Sequence, residues 1–218
     1  MPQFSIDGSD SKPGRVKRAT STTICLSIVM AVCIGVFAGC NPEVDDTGTS
    51  VPIANSVPIK DFGTLQLTDA NGDSKSVSEW AGGKHLVLIV SRGYIGTICP
   101  FCSTQAHDLA MDYDKIQAEG ANLVLVFPVE NEADGVKWED LQADALKESS
   151  LEKDGFPFPV VIDQGLAVVD RLKIRGQLAK PSTFILDSGG NLRFSYVGSD
   201  PGDRPSFGTI LEQLKQLN

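Results

Sequence analysis

The sequence predicts an α/β domain in which a central mixed β-sheet is flanked by helices and preceded by an N-terminal β-hairpin extension. Apolar runs typical of strands buried on both faces alternate with segments of helical period. Late in the chain, two strand-like runs flank a Ser-Gly-Gly-Asn turn. The alternation favours an open sheet with parallel strands, and the late hairpin adds antiparallel strands at one edge. We place this domain at residues 59–218.

The first half of the domain contains the predicted hairpin, two buried strands and a helix. Residues 62–80 predict two short strands around an Asn71-Gly72 turn, a sequence that hairpins prefer. The apolar runs 84–90 and 122–129 predict buried strands. Between them a helix is predicted from Pro100 to Gly120, because apolar residues recur at intervals of four and three: Cys102, Ala106, Leu109, Tyr113 and Ile116.

The second half continues the alternation and then ends in the late hairpin and a helix. Its predicted elements are a helix over 133–153, a strand over 156–163, a short helix over 166–174, hairpin strands over 183–186 and 192–197, and a final helix over 204–218. A β-α-β unit followed by a β-β-α unit is the arrangement of thioredoxin. The fold class therefore follows from the apolar periodicity and does not depend on the cysteines.

Residues 1–39 have the pattern of a secretory signal. Four basic residues precede the apolar run 24–39, whose 16 residues are fewer than the ~20 that a spanning helix needs. The end of this run, Phe37-Ala38-Gly39-Cys40, resembles the lipobox of bacterial lipoproteins, in which the signal is cut before the cysteine and the sulfur carries a lipid. We therefore expect a lipoprotein-type signal peptide over 1–39, a lipid on Cys40 and a flexible tether over 40–58.

The alternative for this region is an uncleaved N-terminal anchor. Both interpretations export the domain and tether it to a membrane, in the periplasm or cell envelope of a bacterium. The formal net charge of −9 argues against a nucleic-acid partner, which favours a basic surface. Of the five cysteines, Cys25 and Cys33 fall in the signal and Cys40 at its end, so Cys99 and Cys102 are the thiols expected in the mature domain.

Cys99 and Cys102 lie where a buried strand gives way to a helix. Pro100 suits the first helical turn, where its missing N–H costs nothing, so Cys99 is predicted at the N-cap and Cys102 one turn inside. The free N–H groups and dipole of the helix favour a thiolate at Cys99, and the thiolate is the nucleophile. Cys102 is then close enough to attack a mixed disulfide at Cys99, which releases the reduced product and leaves a Cys99–Cys102 disulfide.

Three other roles for the pair remain as alternatives. A zinc site needs about four ligands, and besides the pair the domain offers only His85 and His107, which we interpret as surface residues, so no metal site is predicted. Thioredoxin-fold copper chaperones use two cysteines, usually three residues apart, with a later histidine; here the spacing is two and no histidine follows His107. A purely structural bridge that encloses two residues would stabilise the fold little.

Four segments together carry a resemblance to a known family: LVLIVSRG, CPFCSTQ, GANLVLVFPVE and AKPSTFILDSGGNLRFSYVG. Over residues 59–218 the chain resembles the thioredoxin-like superfamily and, within it, the alkyl hydroperoxide reductase/thiol-specific antioxidant group, which is peroxiredoxin-like. The resemblance implies that Pro181 follows a cis peptide bond, packs beside the cysteines and shapes the groove where substrate backbone docks.

The chain departs from the family pattern just before the pair. Thioredoxins have Trp where this chain has Ile98. Typical peroxiredoxins have Thr or Ser three residues before the reactive cysteine and Pro four residues earlier still, where this chain has Gly96 and Arg92; Thr97 is displaced by one position. Arg92 is a candidate for steering an oxyanion or lowering the pKa of Cys99, and the alternative is a solvated charge at a strand end.

The sequence therefore predicts an exported thiol–disulfide redox enzyme with Cys99 as nucleophile and Cys102 as resolving thiol. Its expected substrates are protein disulfides or dithiols, or hydroperoxides, with a thiol protein as redox partner and no cofactor. The alternatives are a peroxidase of the peroxiredoxin kind and, in another class, a copper chaperone or a non-catalytic binding module.

Overall fold

The computed structural model describes residues 62–218. The predicted signal peptide, Cys40 and the tether over 40–58 lie outside the described residues, and so do the first three residues of the predicted domain. These predictions therefore stay predictions. None of the helices within 62–218 is both long enough and apolar enough to cross a membrane.

The N-terminal hairpin consists of two short antiparallel strands, β1 (Gln66–Thr68) and β2 (Ser74–Ser76). Its turn is held by Asp69, whose carboxylate accepts hydrogen bonds from the backbone N–H groups of Asn71 and Asp73, each at 2.9 Å. The strand ends at Ser76 because this residue caps a short helix, α1 (Val77–Ala81), in a capping box with Glu79.

The central sheet has five strands: β3 (His85–Val90), β4 (Ala121–Val129), β5 (Val160–Gln164), β6 (Ser182–Leu186) and β7 (Leu192–Val197). Their spatial order is β5-β4-β3-β6-β7. The pairs β3–β4 and β4–β5 are parallel, whereas β3–β6 and β6–β7 are antiparallel. The predicted mixed sheet with an antiparallel edge is confirmed, and the central strand β3 leads directly to the cysteine pair.

The remaining helices are α2 (Pro100–Met111), α3 (Tyr113–Ala118), α4 (Trp138–Leu146), α5 (Ala167–Arg171) and α6 (Phe207–Lys215). The helix predicted from Pro100 to Gly120 is interrupted at Asp112, the C-cap of α2. The helix predicted over 133–153 is shorter, since a 3₁₀ helix, Glu132–Lys137, precedes it and turns follow it. Strand β5 starts late because Pro157 and Pro159 have no N–H to donate to a sheet.

The sheet separates two apolar cores. On one face, α2, α4 and α6 pack over alternate side chains of β3 and β4; on the other, α1, α5 and the hairpin cover the remaining ones. Every residue of β3 from Leu86 to Val90 is inaccessible to solvent, as a central strand covered on both faces requires. Cys99 and Cys102 belong to the first core, at the end of the sheet where β3 stops.

Candidate active site

A tight turn after β3 carries the chain from the sheet to the start of α2. The turn is tied to the neighbouring strand β4, because Ser91 donates both its backbone N–H and its hydroxyl to the carbonyl of Val126, at 3.0 and 3.1 Å. Gly93 has a φ of +87°, and a Cβ at this position would lie 2.2 Å from the carbonyl oxygen of Pro128. Only glycine fits this close approach of two backbones.

The two cysteines occupy the predicted positions at the start of α2. Cys99 is the N-cap residue, Pro100 is the first helical residue, and Cys102 lies in the first turn. The backbone carbonyl of Cys99 accepts the N–H groups of Cys102 and Ser103, at 2.8 and 3.2 Å. Both cysteines are free thiols in this structure and both are almost closed to solvent, with 4% and 5% exposure respectively. The structure thus contains the dithiol form, with the predicted disulfide open.

The pKa of Cys99 is lowered from its usual value near 9 to about 5. The largest cause is a hydrogen bond that the Cys102 thiol donates to the Cys99 sulfur, and burial opposes the shift. The backbone N–H groups of Cys102 and Phe101 and the charge of Arg204 lower the pKa further. The Cys99 side chain makes no full capping hydrogen bond, and the N–H groups contribute less to the shift than the neighbouring thiol. The sequence therefore predicted the direction of the shift, but the neighbouring thiol contributes more than the helix.

Cys102 has the opposite character. Its pKa is raised well above the usual value because it donates its proton to Cys99 and because it is buried. Its sulfur also accepts two hydrogen bonds, from a guanidinium nitrogen (Nη2) of Arg204 at 3.2 Å and from the backbone N–H of Arg92 at 3.4 Å. The pair therefore holds one proton, on Cys102, and one negative charge, on Cys99, near neutral pH.

The guanidinium of Arg92 does not act on the pair as the sequence analysis proposed. It donates to the side-chain oxygen of Gln177 at 2.8 Å, and only its backbone N–H contacts Cys102. The turn after β3 explains this orientation, since the backbone at Arg92 is held between Cys102 and the N–H of Ala179, which donates to the Arg92 carbonyl at 3.4 Å. The cation of this site is Arg204.

Arg204 was missed by the sequence analysis. It lies in the loop between β7 and α6, and 102 positions separate it from Cys102, so no periodicity or local motif connects the two residues. The signal that remains is weak: a single arginine in an otherwise acidic, Gly- and Pro-containing segment, SDPGDRPSFG.

Pro181 lies at the same end of the sheet, immediately before β6, and is buried. The expectation of a cis peptide bond before it is wrong, because the peptide bonds of the described residues include no cis bond. The trans isomer is the one that X-Pro bonds ordinarily favour. The carbonyl of Pro181 accepts the N–H of Gly198 at 2.8 Å, and the next residue, Ser182, pairs with Val90 of β3.

The Thr97 hydroxyl bonds to the backbone of the following residue. Thr97 is exposed, and its hydroxyl donates to the backbone carbonyl of Ile98 at 3.4 Å. Thr97, which the sequence places one position closer to Cys99 than the family pattern does, therefore has its hydroxyl bonded to the backbone. Position 96, three residues before Cys99, is a glycine and has no hydroxyl.

A groove opens beside the contact between Arg204 and Cys102. Its walls are mainly apolar, with Phe101, Leu109, Phe207 and Ile210 among the lining residues and Arg204 as the cation. Phe101, the residue between the cysteines and next to Cys102, is 55% exposed, which is unusual for a large aromatic side chain. The groove and Phe101 form a largely apolar accessible surface near the pair.

The histidines considered as metal ligands are separate from the pair. His107 is half-buried, and its Nδ1 lies 2.8 Å from the carbonyl oxygen of Ala145 in α4. Within residues 62–218, no group of three or more His, Cys, Asp or Glu side chains is arranged to hold a metal ion. The Arg204 guanidinium at the Cys102 sulfur would also repel a cation there.

Comparison with known proteins agrees with this fold. The sequence profile of the Redoxin family matches residues 47–211, which is most of the chain. The chain belongs to the Redoxin family. It is an oxidoreductase with thiol-dependent redox activity, and the expected relationship to thioredoxin-like and peroxiredoxin-like proteins is confirmed. No functionally curated protein matches the chain.

Solved structures of peroxiredoxins share the fold of this Redoxin. Peroxiredoxin Q of Xanthomonas campestris is 20% identical with a TM-score of 0.50, over 71% of this chain and 92% of that protein. A cysteine-to-serine variant of Arenicola marina peroxiredoxin 6 is 19% identical with a TM-score of 0.55, over 72% and 71% of the two chains. AhpC of Mycobacterium tuberculosis is 17% identical with a TM-score of 0.53, over 72% and 89%. At these identities the likeness shows the fold.

Proposed function

We propose that this Redoxin is an exported thiol–disulfide oxidoreductase in which Cys99 is the nucleophile and Cys102 the resolving thiol. The observation that carries the proposal is the placement of two free thiols at the start of α2, with Cys99 at the N-cap and Cys102 in the first turn beside the guanidinium of Arg204. The neighbouring Cys102 thiol lowers the pKa of Cys99 to about 5. At neutral pH the nucleophile is therefore already ionised. Cys102 stays protonated until the resolving step, because its pKa is raised.

The reaction with a disulfide proceeds in two exchanges. The Cys99 thiolate attacks one sulfur of the substrate, so that a mixed disulfide forms and the other substrate half leaves as a thiolate. Cys102 loses its proton to solvent and attacks the Cys99 sulfur, which forms the Cys99–Cys102 disulfide and expels the second half as a thiolate. Two electrons have moved to the substrate, and a dithiol protein partner restores the reduced pair by the same exchanges in reverse.

Trapping the mixed disulfide tests this proposal. In a Cys102→Ser variant a disulfide-containing substrate protein should stay covalently attached at Cys99, because a serine hydroxyl does not resolve the bond. Mass spectrometry of the peptide containing Cys99 identifies the adduct, and Cys99→Ser is the matched control that should trap nothing. Equal trapping at both positions, or none at either, would show that the pair does not exchange in this order.

A copper carrier remains the alternative from another class, and one observation counts against it. The guanidinium of Arg204 lies 3.2 Å from the Cys102 sulfur, so a metal cation bound there would meet a fixed positive charge. We expect titration of the reduced protein with Cu(I) to give no stoichiometric complex that depends on both cysteines. Such a complex, lost in the double Cys→Ser variant, would replace the enzyme proposal with the carrier.

A peroxidase is the second candidate, and the low solvent exposure of the two cysteines favours it. With 4% and 5% exposure, the pair admits a small hydroperoxide more readily than a folded protein. Cys99 would be oxidised to a sulfenic acid as the peroxide O–O bond breaks and an alcohol leaves, and Cys102 would condense with it to release water. Both steps balance without a cofactor.

Stopped-flow mixing with hydrogen peroxide separates the two candidates. A thiolate of low pKa is an intrinsically weaker nucleophile than that of free cysteine. Without further assistance, the Cys99 thiolate should therefore react with peroxide more slowly than the thiolate of free cysteine, and the oxidoreductase proposal predicts this slower rate. A rate above that of the free cysteine thiolate would identify a dedicated peroxidase. The exposed Thr97, whose hydroxyl bonds the Ile98 carbonyl, favours the slower outcome.

Export and lipid attachment at Cys40 complete the proposal. They are supported by the basic leader, the apolar run 24–39 and the lipobox-like Phe37-Ala38-Gly39-Cys40 sequence. Metabolic labelling with a palmitate analogue should modify the wild-type chain and not a Cys40→Ala variant. Label that persists in the variant, or a chain that retains residues 1–39 in the membrane fraction, would favour the uncleaved anchor.

A further inference from the structure

The loop between β7 and α6 is organised by its own aspartates. Asp203 accepts the backbone N–H and the hydroxyl of Ser199, at 2.7 and 2.8 Å, and the hydroxyl of Tyr196 donates to it as well. Asp200 accepts the N–H groups of Gly202 and Asp203, at 2.8 and 3.1 Å. None of these bonds involves the side chain of Arg204, so the loop has supports of its own and presents this arginine to α2.

The guanidinium of Arg204 is fixed by three contacts. Its Nε donates to the carbonyl of Pro201 at 3.1 Å, its Nη1 to the side-chain oxygen of Gln105, and its Nη2 to the Cys102 sulfur at 3.2 Å. Arg204 is only half-exposed, and among residues 62–218 it forms no salt bridge with a carboxylate. A partly buried cation therefore points at a sulfur and is not paired with a carboxylate.

In the reduced enzyme the hydrogen bond from Arg204 to the Cys102 sulfur is weak. Cys102 is the protonated member of the pair, and a neutral thiol is a weak acceptor. The contact strengthens only when Cys102 loses its proton, because hydrogen bonds between ionised partners are about twice as strong as neutral ones. In the proposed cycle Cys102 loses its proton only in the resolving step.

From these contacts we infer that Arg204 is a positioning residue that stabilises the Cys102 thiolate during resolution of the mixed disulfide. The inference rests on the proposed roles of the two cysteines. Once Cys99 is bonded to a substrate sulfur it carries no charge, so it no longer holds the Cys102 proton by hydrogen bonding. The groups that act on Cys102 are then Arg204 from the loop, the uncharged N–H of Arg92 from the turn after β3, and the burial of the site itself.

The charge of the site thus moves from one sulfur to the other during the cycle. Of the titratable and charged groups in the described residues, Cys99 and Arg204 are those that act on Cys102. Formation of the mixed disulfide removes the negative charge of Cys99 and leaves the positive charge of Arg204. The resolving thiol is therefore ionised only after the first exchange has occurred, which keeps Cys102 from competing with Cys99 for substrate.

Dithiodipyridine, a neutral disulfide that releases an absorbing thiopyridone at each exchange, tests the inference. The full-length chain with serine at Cys25, Cys33 and Cys40 leaves Cys99 and Cys102 as the only thiols. With one equivalent of reagent, the first thiopyridone reports attack by Cys99 and the second reports resolution by Cys102. A neutral reagent is needed because Arg204 would attract an anionic one.

In an Arg204→Gln variant the first phase should keep its rate at pH 7, because Cys99 is ionised well below this pH. The second phase should slow by roughly tenfold or more, as loss of a hydrogen bond to a charged group implies, and its pH midpoint should rise. Arg204→Lys should keep the midpoint near that of the wild type, since it keeps the charge. Arg175→Gln, which removes an exposed guanidinium bound to Asp170, should change neither phase.

The outcomes separate the inference from the function on which it rests. Loss of the first phase in the wild-type protein would refute the proposed roles of the cysteines. A normal first phase with an unchanged second-phase midpoint in Arg204→Gln would refute the role of Arg204 alone. If Arg204→Lys slows resolution as much as Arg204→Gln, with no change in either midpoint, the arginine only supports the loop and the inference is wrong.

Discussion

Removing the Cys102 thiol should raise the pKa of Cys99, because the hydrogen bond from Cys102 is the largest cause of its low value of about 5. The test is a Cys102→Ala variant in the background that lacks Cys25, Cys33 and Cys40. Alanine removes the donor and leaves the remaining contributions, namely the helix N–H groups and Arg204, in place. The Cys99 thiolate should then form at higher pH than in the wild type.

The size of the change can be worked out from the bond that is lost. A hydrogen bond to a charged group contributes about 1.5–3 kcal/mol, and one pKa unit corresponds to 1.36 kcal/mol. The midpoint of Cys99 ionisation should therefore rise by about 1 to 2 pH units, from about 5 to about 6–7. Arg204 and the N–H groups still act on the sulfur, so the value should not reach that of free cysteine.

The assay is the rate of alkylation by iodoacetamide from pH 4 to pH 9, followed by mass spectrometry of the peptide that contains Cys99. The midpoint is the quantity to compare, because a thiolate of higher pKa is also a stronger nucleophile and raises the plateau. Cys102→Ser is the matched control, since its hydroxyl still donates and should leave the midpoint between those of the other two proteins. An unchanged midpoint in Cys102→Ala would refute the hydrogen bond as the main cause.

Three further substitutions test the scaffold, each by thermal unfolding of the variant against the wild type. Gly93→Ala should lower the Tm strongly and slow alkylation of Cys99, because its Cβ would lie 2.2 Å from the Pro128 carbonyl oxygen at a φ of +87°. Asp163→Ala should cost about 2–4 kcal/mol, since this buried carboxylate accepts two backbone N–H groups at the start of α5, each at 2.8 Å. Ser206→Ala should cost about 1 kcal/mol, because its hydroxyl caps α6 by accepting the N–H of Thr209 at 3.1 Å, and should leave alkylation unchanged.

The fold was predictable because its signals are local. Continuous apolar runs identified the buried strands, apolar residues at intervals of three and four identified the main helices, and the turn sequences identified the two hairpins. The errors lie where one local signal competes with another. Ser76 caps helix α1 inside the segment predicted to hold only two short strands, and Asp112 interrupts a helix whose apolar stripe continues on both sides. Apolar periodicity shows which face of a segment is buried, but it does not show where the helix is interrupted.

The site was predictable in part for the same reason. The positions of Cys99 and Cys102 follow from a strand, a proline and a helix that adjoin in sequence, and the structure places both as expected. The choice of cation does not follow, because Arg92 is near in sequence but bonds Gln177, whereas Arg204 is 102 positions away and bonds Cys102. The isomer at Pro181 was taken from the family resemblance, and in this chain the bond is trans.

Exposure does not decide which cysteine attacks the substrate. The two side chains are equally closed, at 4% and 5%, and the cation of the site contacts Cys102, which by charge alone would favour Cys102 as the thiolate. Cys99 attacks first because Cys102 keeps the shared proton and donates it in a hydrogen bond to the Cys99 sulfur. This hydrogen bond lowers the pKa of Cys99 and the helix N–H groups lower it further, so the shared proton stays on Cys102 and the charge on Cys99. Arg204 becomes decisive only when that bond is lost, which explains how a cation beside the second sulfur is compatible with the first sulfur as nucleophile.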